Sequence, residues 1–271
     1  MAFNPDSARN EMVDFWAVLF SPVAINKFIH TVTNGYVLAS IVVIGISAWY
    51  LLHKREEEFA RKSIKTSAVF GLVSLLVLIW SGDGSSVQVA KKQPMKLAAM
   101  EGLYKGQTGT PIVVAGILNP GKSVKDIADN PIKYESEDAF IFKIAIPQGL
   151  SLLVDRKTNT FIPGIEDILK GGYTYLDKDG VPKIAPPIEE RMAKGKLAVE
   201  GLALYQKARL AGDEEGKDLA YRQLMDNFDH FGYGYIEKPT DVIPNVPLTF
   251  YAFRVMIILG GYFLLFFIIT Q

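Results

Sequence analysis

The chain has 271 residues, and its 29 Lys and Arg balance 29 Asp and Glu, so the formal net charge is +0. A neutral chain that is 49% hydrophobic carries no electrostatic footprint for nucleic acid and suits a membrane protein with a substantial aqueous part. The absence of cysteine excludes disulfides, thiolate zinc sites, iron–sulfur clusters and covalent c-type haem.

In chain order, residues 6–20 place Met12, Phe15, Trp16 and Leu19 on one stripe, so 1–20 is expected as an amphipathic helix in the membrane interface. Ser21 and Pro22 then read as the N-cap and first residue of a span over 21–52. Phe28 to Leu52 is free of Lys, Arg, Asp and Glu, and at about 1.5 Å per residue it is long enough to cross a bilayer. Trp49 and Tyr50 form an interfacial belt at its end. Residues 53–65 hold Lys54, Arg55, Arg61, Lys62 and Lys65, and the positive-inside rule makes this a cytoplasmic loop. A second span, 66–81, ends on Trp80–Ser81, and a third occupies 247–271. The long segment 82–246 between them is thereby expected outside the membrane.

That outer segment is mixed in pattern. TPIVVAG, AFIFKIAI and LSLLVD read as strands. Pro94 to Tyr104 reads as a short helix, and Ile188 to Ala211 as a longer one stopped by Gly212. A further helix is expected from about Gly216 to Phe228. The fold class is therefore an all-α membrane protein with three transmembrane helices and a long mixed α/β extracytoplasmic loop, part of a larger helical bundle.

His30 stands inside the first span, where an ionisable residue marks either a hydrogen bond to a neighbouring helix or a function such as haem ligation. The first and third spans both begin with a proline and enter from the same side. His30 follows Pro22 by eight residues and Met256 follows Pro247 by nine, which gives depths of about 12 and about 13.5 Å. A His and a Met at matched depth can be the axial ligands of a low-spin haem; packing is the competing use of Met256. Arg254 in the third span needs a counter-charge, and a haem propionate would serve. Lys27, one turn outward of His30, could meet another, or both could snorkel to lipid phosphate. Gly116 to Ser123, GILNPGKS, fits the phosphate-loop pattern, but Pro131 follows too soon for the helix that must open there, and the match is read as chance.

NEMVDFWAVLFSPVAINKFIHTVTNGYV, GISAWYLL, KQPMKLAAMEGLY and FYAFRVM together resemble subunit I of the cytochrome bd quinol oxidases over nearly the whole chain. The resemblance implies a terminal respiratory oxidoreductase of the bacterial inner membrane, whose outer loop binds ubiquinol or menaquinol beside a second subunit and lipid. It implies that His30 and Met256 ligate low-spin haem b558, that Arg254 lies near that haem, and that Lys96 and Glu101 act in quinol oxidation. Family members are longer, so this chain is expected to be a piece, inactive alone, with the ligands of haem b595 and haem d elsewhere. Quinol oxidation releases two protons and two electrons; Glu101 is the candidate proton acceptor and Lys96 an orienting donor, five residues apart and each free for ligand. The competing class is a membrane-anchored extracytoplasmic binding or sensor domain without redox chemistry.

The topology is testable in this cysteine-free chain. A cysteine introduced at position 180 should react with an impermeant reagent from outside, and one at position 58 should not; the reverse pattern would invert the sidedness.

Overall fold

The structure is a computed structural model that describes residues 1–119, 139–177 and 180–271. Among these residues it is mostly helical, with three helices long and apolar enough to cross a membrane. The first, α2 (Pro22–Leu52), is capped as its sequence predicts, the Ser21 side chain accepting from Ala24 N at 3.3 Å. Ahead of it the chain departs from expectation. Instead of one amphipathic helix, β1 (Ala2–Asn4) and β2 (Arg9–Glu11) form an antiparallel hairpin, and only α1 (Phe15–Leu19) is helical. Asp14 starts α1 as its N-cap and confines the helix to the residues after it. The hairpin is held away from the span, Asp6 accepting from Tyr205 Oη at 2.9 Å and pairing with Arg209.

The second spanning helix, α3 (Glu57–Lys92), runs well past both expected ends. At its start, only a tight turn through Lys54 and Glu56, both at positive φ, separates it from α2. At its end, the Gly- and Ser-rich stretch after Trp80 reads as a loop by composition, yet it stays helical because it packs on α2. The seam between α2 and α3 is lined by Thr33, Val37, Ser40, Ile44 and Ser47 on one side. Ala60, Ala68, Gly71, Ser74, Leu75 and Ser81 line the other. Small side chains at helical spacing let two backbones approach closely where lipid offers no hydrophobic drive. The half of the seam nearer Pro22 is polar. Gln88 donates to Pro22 O at 3.4 Å, Asn26 to Ser85 Oγ at 2.7 Å, and His30 Nδ1 lies 3.0 Å from Ser81 Oγ. Positions 88, 85 and 81 descend α3 as 22, 26 and 30 descend α2, so these bonds fix the antiparallel register.

The segment between the second and third spanning helices begins with α4 (Pro94–Glu101), followed by β3 (Gln107–Thr108), β4 (Ile112–Leu118) and β5 (Phe140–Ile146). The last two pair antiparallel, as TPIVVAG and AFIFKIAI predict. LSLLVD is not a strand but α5 (Gly149–Asp155). A short apolar run is ambiguous by period, and here its first turn is tied by Ser151, which accepts from Thr110 N and donates to Thr160 O. Then come β6 (Phe161–Ile162), α6 (Ile165–Lys170), β7 (Thr174–Leu176) and β8 (Pro182–Ile184). The hairpin of α7 (Ile188–Ala211) and α8 (Glu214–Asp226) matches expectation, Gly212 ending α7 in the left-handed region. Gly116 to Leu118 of the phosphate-loop match lie in β4, and the rest beyond Asn119 falls outside the described residues.

The third spanning helix, α9 (Val246–Thr270), belongs to both halves. Its first turns, through Val246 and Phe250, are built into one core with Ala98, Tyr104, Leu118, Phe140, Ile165 and Ile188. At the opposite end Phe267 packs with Val37, Ile44, Ala68 and Leu75. Between those ends most of its side chains face outward. Only 11% of its most apolar stretch is buried, so its flanks need hydrocarbon or further helices around them.

Gly71 makes the inner junction possible. A Cβ there would stand 2.4 Å from the Phe267 ring and 2.9 Å from the Ser40 Cβ. Gly71→Leu should therefore lower the thermal stability of the purified protein by about 1–3 kcal/mol, and Phe267→Ala in the same chain should recover part of the loss.

Candidate functional site

The site is where α4 meets α9. Helix α4 ends at Glu101 because Gly102 follows it at φ 61°, a conformation costly for any residue with a Cβ. A Cβ at Gly102 would also stand 2.9 Å from the Phe140 ring. This stop turns Glu101 inward against α9, one turn beyond Phe250. There its Oε2 accepts from Arg254 Nη2 in a buried ion pair, the two residues being 3% and 4% exposed. The Arg254 guanidinium also lies 4.9 Å from the Phe250 ring centroid and 5.1 Å from that of Phe253. Burial pushes the Glu101 carboxyl above the ordinary carboxylate range, and the charge and hydrogen bond of Arg254 oppose that rise.

The pair is incompletely satisfied. Among the described residues, Glu101 Oε1, Arg254 Nε and Arg254 Nη1 are buried without a hydrogen-bond partner. Such groups are costly unless a further ligand completes them. The arrangement corrects one expectation: Glu101 is not a free carboxylate, because its counter-charge comes from the third span, 153 residues later. Lys96, on the same short helix, is exposed and stands apart from the pair.

His30 and Met256 are not joined to this pair. The His30 ring lies against α3, its Nδ1 3.0 Å from Ser81 Oγ. Lys27 is exposed, and the residue that shares the α3-facing side of α2 with His30 is Asn26. Met256 is 53% exposed on α9. Sequence reasoning missed Ser81, Ser85 and Asn26. Their four-residue spacing on each helix was the available signal, obscured because SGDGSS resembles a loop. Among the described residues, no three His, Asp or Glu side chains gather as a metal-ion site; a haem held by one His and one Met needs no such cluster.

Residues 1–271 match the model of the family described as cytochrome bd terminal oxidase subunit I. The chain belongs to this family. It is 30% identical over 268 residues to the cytochrome bd-II ubiquinol oxidase subunit 1 of Escherichia coli, covering 97% of this chain and 48% of that protein. It is 32% identical over 212 residues to a cytochrome bd ubiquinol oxidase subunit 1 of Bacillus subtilis, covering 78% of this chain and 42% of that protein. The chain thus spans about half the length of these curated relatives. The structure of a bd oxidase from Geobacillus thermodenitrificans superposes with a TM-score of 0.50 at 18% identity, covering 99% of this chain and 63% of that one; the likeness concerns the fold.

Within this cytochrome bd subunit I chain, the ion pair makes a quantitative prediction. Arg254→Leu strands a buried carboxylate and should cost about 3–5 kcal/mol of stability, whereas the double substitution with Glu101→Leu should cost far less than the sum. Thermal unfolding of the purified variants measures both.

Proposed function

We propose that this chain carries the quinol-oxidising loop and the low-spin haem b558 site of a respiratory quinol oxidase of the cytochrome bd type. The observation that carries the reading is the buried Glu101–Arg254 pair with its unpartnered oxygen and N–H groups, in a chain of this family. Glu101 Oε1 is the proton acceptor for a quinol hydroxyl. A carboxyl whose affinity for protons is raised by burial is a better base near neutral pH than an exposed one. Arg254 holds the carboxylate in place through Nη2, while exposed Lys96 orients the substrate from the start of α4.

The residues fit a haem beside the pair. Arg254 Nε and Nη1 are donors of the kind propionates accept from, and Lys27 offers a second cation near the outer end of α2. His30 and Met256 would hold the iron from α2 and α9. Held there, a haem would supply a one-electron acceptor to the quinol side. The high-spin haems b595 and d would take their ligands outside these residues.

The substrate is ubiquinol or menaquinol, the partners are a second subunit and membrane lipid, and the location is the bacterial inner membrane with 82–246 on the outer face. The basic turn at Lys54 and Arg55 supports that sidedness. Membership of this family favours the redox reading over a binding or sensor domain without redox chemistry.

In the complete enzyme, Glu101→Gln should lower quinol oxidation about a hundredfold or more with normal haem content. Protonated Glu101 cannot accept, so the unsubstituted enzyme should lose rate as pH falls through its raised pKa, and the variant should lack that acid limb. His30→Ala should abolish the low-spin haem signal in a reduced-minus-oxidised spectrum, and Met256→Leu should make it high-spin. An unchanged low-spin spectrum in Met256→Leu would exclude that methionine as a ligand.

A further inference from the structure

The hydrogen bond between His30 and Ser81 has a direction that its surroundings decide. Ser81 is 1% exposed, so its hydroxyl has no water to turn to. That hydroxyl donates to Leu78 O at 3.0 Å, the bond a helical serine makes back to its own preceding turn. Toward His30 the same oxygen can then only accept. With the serine donating to Leu78 O, Nδ1 at 3.0 Å carries the imidazole hydrogen, and a neutral ring protonated there has its lone pair on Nε2.

Two further contacts hold the serine in this role. Ser85 Oγ donates to Ser81 O at 3.0 Å and accepts from Asn26 Nδ2 at 2.7 Å, which ties the α3 turn carrying Ser81 to α2 one turn above His30. The ring also lies against the backbone of Gly82, where a Cβ would make ordinary contact with His30 Cε1 at 3.4 Å. The imidazole is thus fixed in position by the α3 backbone and in tautomer by one buried hydroxyl.

We infer that Ser81 is a positioning residue for His30, holding Nδ1 protonated so that Nε2 faces its ligand as a lone-pair donor. The inference rests on the reading of His30 as a haem ligand. A hydrogen bond from the far ring nitrogen strengthens a ligating imidazole and orients it, and loss of such a partner commonly weakens metal-group affinity about 10- to 100-fold.

The test uses the complete enzyme with Ser81→Ala, which removes the acceptor, and Ser81→Thr, which keeps it. Retention of the low-spin haem against a haem-scavenging apoprotein should fall about 10- to 100-fold in Ser81→Ala. The midpoint potential of that haem should rise, because a less basic imidazole favours the oxidised iron less. Ser81→Thr should restore both. If Ser81→Ala does not accumulate, Ser81→Cys, a weaker acceptor of similar shape, should show the same two changes in smaller degree. Unaltered retention and potential in Ser81→Ala, or losses that Ser81→Thr leaves unrestored, would overturn the role of the hydroxyl. Those outcomes differ from failure of the ligand reading itself, in which His30→Ala would keep the low-spin spectrum and the inference would fall with it.

Discussion

A guanidinium two turns into an apolar helix must be neutralised within reach of its own side chain, and much of the outer structure serves that requirement. The α9 helix is pulled into the loop core by Val246 and Phe250, which brings Arg254 level with the end of α4. The left-handed Gly102 ends α4 at the residue that supplies the carboxylate. Desolvating both ions is costly, and the cost is offset only because the pair is direct and flanked by the faces of Phe250 and Phe253. The loop therefore has a fixed seat on the third span.

The second organising feature is the seam between α2 and α3, which changes character along its length. Around Phe267 of α9, which fills the space above Gly71, it is small and largely apolar. Nearer Pro22 it is a run of amide, hydroxyl and imidazole contacts. Packing sets the separation of the helices, and the polar contacts set their register, because a slip by one residue would break several half-buried hydrogen bonds at once. His30 occupies the lowest rung of this polar half.

Much of this was legible in the sequence. The start of α2 was written in Ser21 and Pro22, and the end of α7 in Gly212. The β4–β5 pair was visible in its β-branched and aromatic runs. What was not legible depended on tertiary contact. Residues 82–92 have the composition of a loop and are helical because α2 lies beside them. LSLLVD has no decisive period and became α5. The first twenty residues carry a plausible helical stripe, but Asp14 caps a helix that begins only at Phe15. At the site, Glu101 and Arg254 were each singled out for separate partners. No local pattern links a residue on α4 to one 153 positions later, and only the shared core of Phe140, Phe250 and Leu118 brings them together.

Helix α3 has 36 residues, a length of about 54 Å at about 1.5 Å per residue, whereas the hydrocarbon core is about 30 Å thick. It therefore stands out of the bilayer as a continuous mast. Only Gln93 separates it from α4, and Asp83 is bridged to Arg156 at the end of α5, Nη1 to Oδ1 at 3.0 Å. Among the described residues the loop is thus stayed to the mast at two heights. A tilt of the loop would therefore have to carry α3 along with it and strain the ion pair that seats the loop on α9.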